Sequence, residues 1–188
     1  MVRTFVALLI PPDWAAHLGA LSAGLAARTR GLAWVKPENL HVTLRFLGDL
    51  DDAAVARVGA SVADRAASAV APLARLGPLS AFPNLVRPRV LWVGLSEGAT
   101  EVAALAGAVD EGLRDAGFGA SDRPFRAHLT LARVREGAQG LETLRDAVLP
   151  TPPRRALLDR VAVMKSDLHP SGSRYTALQE VRLRPPDR

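Results

Sequence analysis

The sequence predicts an α+β fold of two pseudo-twofold-related lobes, each a small, mainly antiparallel sheet with outer helices, forming a central cleft. Three observations lead there. The tetrapeptide His41-Val42-Thr43-Leu44 returns with one change as His128-Leu129-Thr130-Leu131. The step between the two histidines is 87 positions, and the step between the apolar strands opening at Arg3 and Arg89 is 86. Short apolar runs also alternate with helix-period stretches, with hairpin-scale spacing late in each half. A nearly constant step across strand, helix and motif indicates duplication rather than chance recurrence. The halves are expected at roughly 1–88 and 89–188 of a single bilobal domain, an arrangement that allows strands to exchange between lobes.

In the first half, Arg3 to Leu8 is a short apolar run, soon broken at Pro11-Pro12-Asp13, which is strand-to-helix punctuation. A helix is expected from about Pro12 to Arg28, where Trp14, Leu18, Leu21 and Leu25 recur three or four apart. Glu38-Asn39 reads as the turn before the motif strand, and a second helix is expected from about Asp52 to Ala71. In the second half, the strand Arg89 to Gly94 precedes a helix from about Ala99 to Ala116, marked by Val102, Leu105, Val109 and Leu113. A further helical stretch is expected from about Gly140 to Val148. The remaining strands are expected near Leu73–Ser80, Leu157–Lys165 and Tyr175–Leu183. Gly77-Pro78, Arg87-Pro88, Pro150 to Pro153 and Pro170 to Gly172 punctuate them.

With 48% hydrophobic and 23% charged residues, the 188-residue chain can bury a substantial interior. The net charge is +5, carried almost wholly by arginine, since Lys36 and Lys165 are the lysines. Guanidinium suits phosphate, but a GC-rich coding bias explains most of this arginine, so charge adds little to the case for an anionic ligand. The absence of cysteine excludes disulfides, thiolate nucleophiles and cysteine metal sites. The opening apolar run is too short to cross a bilayer. A cytoplasmic monomer without membrane attachment is expected.

In a strand, side chains at i and i+2 leave the same face about 6–7 Å apart. Each motif therefore presents an imidazole and a hydroxyl on one face, and Val42, Leu44, Leu129 and Leu131 on the buried one. Two imidazoles with ordinary pKa near ~6.5 can hold opposite protonation states at neutral pH. A neutral one takes a proton from a nucleophile while a protonated one donates to a leaving oxygen, which is in-line phosphoryl chemistry without a metal. Thr43, Thr130 and nearby arginine could hold the non-bridging oxygens. On an uninterrupted strand Arg126 shares the face of His128, whereas Arg133 reaches the cleft only if the chain turns or bulges after Leu131. No Asp or Glu stands at ligand spacing to complete a metal site with these histidines.

The flanks extend the pattern. Trp34-Val35-Lys36-Pro37-Glu38-Asn39-Leu40-His41-Val42-Thr43-Leu44-Arg45-Phe46-Leu47-Gly48 resembles the first signature of the 2H phosphoesterase superfamily. Arg123-Pro124-Phe125-Arg126-Ala127-His128-Leu129-Thr130-Leu131-Ala132-Arg133 is similar to the second, with Ala127 where proline is usual. Arg3 to Ala7, Phe82 to Trp92 and Ser171 to Thr176 also fit, so the resemblance covers essentially the whole chain. Within the superfamily it is to the RNA 2′,3′-cyclic phosphodiesterases, historically called 2′-5′ RNA ligases. That resemblance implies metal-independent, cofactor-free opening of a ribose 2′,3′-cyclic phosphate to a 2′-phosphate, with 2′,5′ joining in the reverse sense. The partner implied is RNA with a cyclic phosphate terminus, or a small cyclic nucleotide, with no obligate protein partner. Carried over by position, His41 and His128 are the catalytic pair; His41 is assigned as general acid and His128 as general base, roles that exchange when the reaction runs in reverse. Thr43, Thr130 and Arg133 hold the phosphate, with Arg126 a further candidate, and Phe46 shapes the cleft or touches a base.

Simpler readings apply elsewhere. His17 and His169 are expected as packed or solvated residues, Arg45 as a solvated arginine, and Trp34 and Trp92 as core or cleft-wall packing. A non-catalytic module that binds nucleotides or RNA ends in the same cleft is the competing function, although both motifs are intact.

Overall fold

In the computed structural model, residues 1–121, 123–145, 147, 153–169 and 172–186 are described. The alternating segments form strands β1 (Val2–Leu9), β2 (Arg30–Trp34), β3 (His41–Leu50), β4 (Leu73–Phe82), β5 (Val90–Glu97), β6 (His128–Gln139), β7 (Ala156–Leu157), β8 (Arg160–Asp167) and β9 (Arg174–Arg182). The segments of helical period form α1 (Pro12–Ala26), α2 (Asp52–Ser68) and α3 (Ala99–Asp115). Each helix starts as its sequence dictates. Pro12 occupies the first turn of α1, the Asp51 carboxylate accepts from the Ala54 amide at 2.7 Å to cap α2, and α3 follows Gly98. Gly98 has φ +80°, and a Cβ there would lie 2.6 Å from the Leu73 carbonyl oxygen, so only glycine fits this turn.

The strands join in the order β7-β4-β5-β6-β3-β1-β8-β9, with β2 alongside β6. All strand pairs are antiparallel among the described residues. The two small sheets are thus joined edge to edge through the motif strands, where Val42 pairs with Leu129. The sequence halves exchange strands: β4 pairs with β5, while β8 lies against β1 and carries β9. Val42, Leu129 and Leu131 are fully buried on the helix-covered face, with Trp14, Leu18, Val58 and Leu113. This is the interior face that the motif alternation requires.

The three helices and the long strands lie close to where the periodicity places them. Three details differ. β2 has no counterpart in the sequence pattern, because its Arg-Gly-Leu-Ala-Trp run has no alternation of its own and pairing with the end of β6 fixes it. The stretch expected to be helical from Gly140 to Val148 is a short 3₁₀ turn at Leu141–Leu144, with positions 146 and 148 outside the described residues. Leu157–Lys165 divides into β7, which pairs with β4, and β8, which pairs with β1. Most of the breaks at Pro150 to Pro153 and Pro170 to Gly172 lie outside the described residues.

Candidate active site

His41 and His128 are the first residues of β3 and β6. The pairing of Val42 with Leu129 sets His41 against Thr130 and Thr43 against His128 in the continued register, all on the face opposite the core. Each ring is oriented the same way. His41 Nδ1–H donates to the Asn39 carbonyl at 2.7 Å, and His128 Nδ1–H donates to the Arg126 carbonyl at 2.7 Å. The carbonyls fix the tautomer, leaving Nε2 of each ring for proton exchange. Nε2 of His41 lies 3.0 Å from the Thr43 hydroxyl.

Aromatic rings close around both imidazoles. Phe5 stacks on His41 with centroids 4.9 Å apart, and Tyr175 meets it edge-on at 5.4 Å. Phe82 and Trp92 meet His128 edge-on at 5.2 and 5.9 Å. This burial is the main reason that both histidines sit below the usual imidazole pKa. The bonds to the backbone carbonyls work in the opposite direction. His41 is also lowered by the neighbouring His128, and His128 by the Arg126 and Arg133 cations.

Two β-bulges complete the site. Along the β1–β3 pairing, Ala7 opposes Thr43 but Val6 opposes Arg45, so Leu44 is skipped. Along β5–β6, Trp92 opposes Thr130 but Leu91 opposes Ala132, so Leu131 is skipped. Each skip reverses the alternation. It turns Phe46 and Arg133 to the histidine face, and Arg45 and Ala132 to the interior. The bulge after Leu131 is thus the condition on which Arg133 reaches the cleft.

The cleft has unequal arms. A hollow of about 340 Å³ on the His41 side is lined by Arg3, Phe5, Ser166 and Tyr175. A groove of about 1090 Å³ on the His128 side runs past Phe82, Phe125 and Arg126 to Ala103, Gly107 and Asp110 of α3. Thr43, Phe46 and Arg133 line both arms, and Thr130 lies with His41, Thr43 and Arg133 at the junction. Among the described residues, no three His, Asp or Glu side chains are grouped to hold a metal ion.

Residues 8–92 and 93–175 each match the family described as LigT like Phosphoesterase. The chain belongs to that family. The twofold match of this LigT-like phosphoesterase mirrors its two motifs. It is 39% identical over 112 residues to an RNA 2′,3′-cyclic phosphodiesterase of Aeropyrum pernix, a match spanning 58% of this chain and 61% of that protein. It is 32% identical to one of Thermus thermophilus, across 97% of this chain and 91% of that protein. Its fold matches the crystal structure of the Thermus thermophilus protein TT0787 with TM-score 0.76 and 28% identity, covering 97% of this chain and 98% of the other.

His41, His128, Thr43, Thr130, Arg133 and Phe46 of this LigT-like phosphoesterase therefore meet in one cleft. Phe46 is 49% exposed, with the Arg3 guanidinium 4.6 Å from its ring centroid. Arg126 lines the His128 arm, but its guanidinium lies over Trp92, 4.6 Å from the ring centroid. Arg45 differs from its expected solvated state. It is buried, 2.6 Å from Asp110 and donating also to the Gly119 carbonyl, because the bulge turns it inward. Tyr175 and Asn39 were missed as site residues. Tyr175 lies far along the sequence with only pattern to mark it, and Asn39 reads locally as a turn residue.

Proposed function

We propose that the protein is a metal-independent RNA 2′,3′-cyclic phosphodiesterase that hydrolyses a terminal ribose 2′,3′-cyclic phosphate to a 2′-phosphomonoester. The observation that carries this reading is the pair of imidazoles in one cleft, each held through Nδ1 by a backbone carbonyl so that Nε2 is left to move a proton. Family membership and the names of the relatives support the substrate. With the cyclic phosphate at the junction of the two arms, Thr43, Thr130 and Arg133 contact its non-bridging oxygens. Nε2 of His128 takes a proton from water as the water oxygen bonds to phosphorus. The bond from phosphorus to the 3′ oxygen breaks, and that oxygen takes the proton from Nε2 of His41. His128 ends protonated and His41 neutral, and exchange with solvent restores both.

The two arginines beside His128 support the direction, because they disfavour its charged form and suit it to begin as the base. Phe46, at the junction, offers a ring to the terminal base. A ribose 5′-hydroxyl in place of water would form a 2′,5′ linkage by the same steps. The reading includes one bilobal domain and a cytoplasmic monomer acting on RNA ends or small cyclic nucleotides, and no helix among the described residues is long and apolar enough to cross a membrane. The test is a panel of 2′,3′-cyclic, 3′,5′-cyclic and 2′,5′-linked nucleotides with product regiochemistry read out. The expected result is a 2′-phosphate from the 2′,3′-cyclic substrates and no product from the 3′,5′-cyclic ones, unaffected by EDTA and abolished in His41→Ala and His128→Ala. Full activity in either variant overturns the reading.

A further inference from the structure

The 87-position step that relates the histidines also relates Asn39 to Arg126, each two residues before its histidine. The backbone does the same thing in both copies, since each carbonyl accepts the imidazole Nδ1–H at 2.7 Å. The side chains do not match. Asn39 Nδ2 donates to the Ser173 carbonyl at 3.0 Å, tying the group that orients His41 to the chain entering β9. Two residues on, Tyr175 packs edge-on against the same imidazole. Arg126 instead lays its guanidinium over Trp92, with the centroid at 4.6 Å, and near Phe82, with the centroid at 5.8 Å. Those two rings are the ones that contact His128. One backbone device is thus anchored by a neutral amide in the first copy and by a stacked cation in the second.

The difference has a sign. His128 is faced by Arg126 from the preceding loop and Arg133 from β6; its groove also carries Arg123, and Asp110 of α3, which Arg45 and Arg114 already engage. His41 is faced by His128 and Tyr175 and shares its hollow with Arg3 and Arg133, but no charge stands on its own anchor. A cation fixed beside one ring disfavours imidazolium there, so Arg126 biases a proton shared by the pair away from His128, against the deeper burial that lowers His41. We propose that Asn39 and Arg126 are positioning residues of the reaction, and that a tethered amide in one copy and a stacked cation in the other assign the acid role to His41 and the base role to His128. This rests on the cyclic phosphodiesterase reading above.

The test combines NMR titration of the two imidazoles with the pH profile of kcat/KM on cytidine 2′,3′-cyclic phosphate. It uses the intact protein and its Arg126→Asn, Arg126→Lys and Asn39→Asp variants. In the unsubstituted protein His128 titrates below His41. Arg126→Asn moves the His128 titration and the acidic limb of kcat/KM upward by roughly half a unit or more, whereas Arg126→Lys keeps both near their original position. Asn39→Asp loses the donor to Ser173 and adds a negative charge. It moves the His41 titration and the alkaline limb upward, and lowers kcat by about tenfold or more with a smaller change in KM. A purely structural role would move neither limb. His128 titrating above His41, or an unmoved His128 titration in Arg126→Asn, overturns the inference while leaving an active enzyme a phosphodiesterase. Absence of turnover in the unsubstituted protein overturns the functional reading, and the assignment of roles with it.

Discussion

Replacing Arg133 by methionine keeps a long side chain and removes the arginine that, among the described residues, lines both arms of the cleft. A hydrogen bond from a charged donor contributes about 1.5–3 kcal/mol, and a guanidinium can make two to one phosphate. Arg133 is exposed in the free protein, so water screens it and the net loss corresponds to one such bond rather than two. At about 1.4 kcal/mol per tenfold, Arg133→Met should lower kcat/KM by about 10- to 150-fold. Arg133→Lys should fall between, because it retains a charge but not the planar fork. The substitution also removes one of the cations that lower His128, so initial rates must be compared across pH 5 to 8 rather than at one pH. Since the side chain reaches solvent, Tm should stay within about 2 °C. A loss smaller than about twofold at every pH would remove Arg133 from the phosphate cradle.

Both histidines are lowered in the folded protein, so below about pH 6.5 the unfolded chain binds more protons. Their contribution to stability is therefore fully present above that pH and lost as pH falls through the folded values. Thermal unfolding should show a Tm that declines from pH 7 to 5, with a shallower decline in a His41→Gln/His128→Gln variant; equal slopes count against the burial argument. The same lowering places the maximum of kcat/KM below about pH 6.5, because that parameter reports the free enzyme, and a maximum at pH 8 would contradict it. Arg45→Ala leaves the Gly119 carbonyl and the Asp110 carboxylate without their buried partner, and should cost about 3 kcal/mol in urea unfolding, against less than about 0.5 for a solvated arginine. Thr43→Val deletes the hydroxyl 3.0 Å from His41 Nε2 without changing side-chain shape, and should reduce kcat roughly tenfold at unchanged Tm, which paired kinetic and melting measurements would show.

The parts legible in the sequence are those that short-range pattern controls. Apolar spacing locates α1, α2 and α3 because each buries one stripe, and the repeated His-x-Thr-Leu identifies two strands with one polar face. The face of Arg133 depends on a bulge, and nothing in Leu131-Ala132-Arg133 announces one; it arises from pairing with β5, where Leu91 and Trp92 oppose Ala132 and Thr130. Arg45 escaped for the same reason, since its inward turn is set by the register with β1. β2 lacks alternation and exists through β6, its partner about a hundred residues away in sequence. Tyr175 meets His41 because β8 and β9 cross into the first lobe, a topological choice that local residues do not encode.

The paired bulges show how a duplicated backbone comes to present different side chains to the cleft. Both fall at the last residue of the motif, and both send the next residue inward and the one after it to the cleft. The first copy has Arg-Phe at those two places and the second has Ala-Arg. An arginine is therefore spent on the interior in the first copy, where Arg45 joins β3 to Asp110 and the Gly119 carbonyl. In the second copy the arginine lines both arms of the cleft. Had both copies carried arginine at the cleft position, each imidazole would face a cation at the same distance in sequence, and the asymmetry would fall to Arg126 and to the unequal burial of the two rings. Phe46 in place of a second arginine leaves the His41 side less positive while still offering a ring to a base. A symmetric backbone with unequal cations thus gives two chemically identical side chains different surroundings, which is what the proposed division of roles requires.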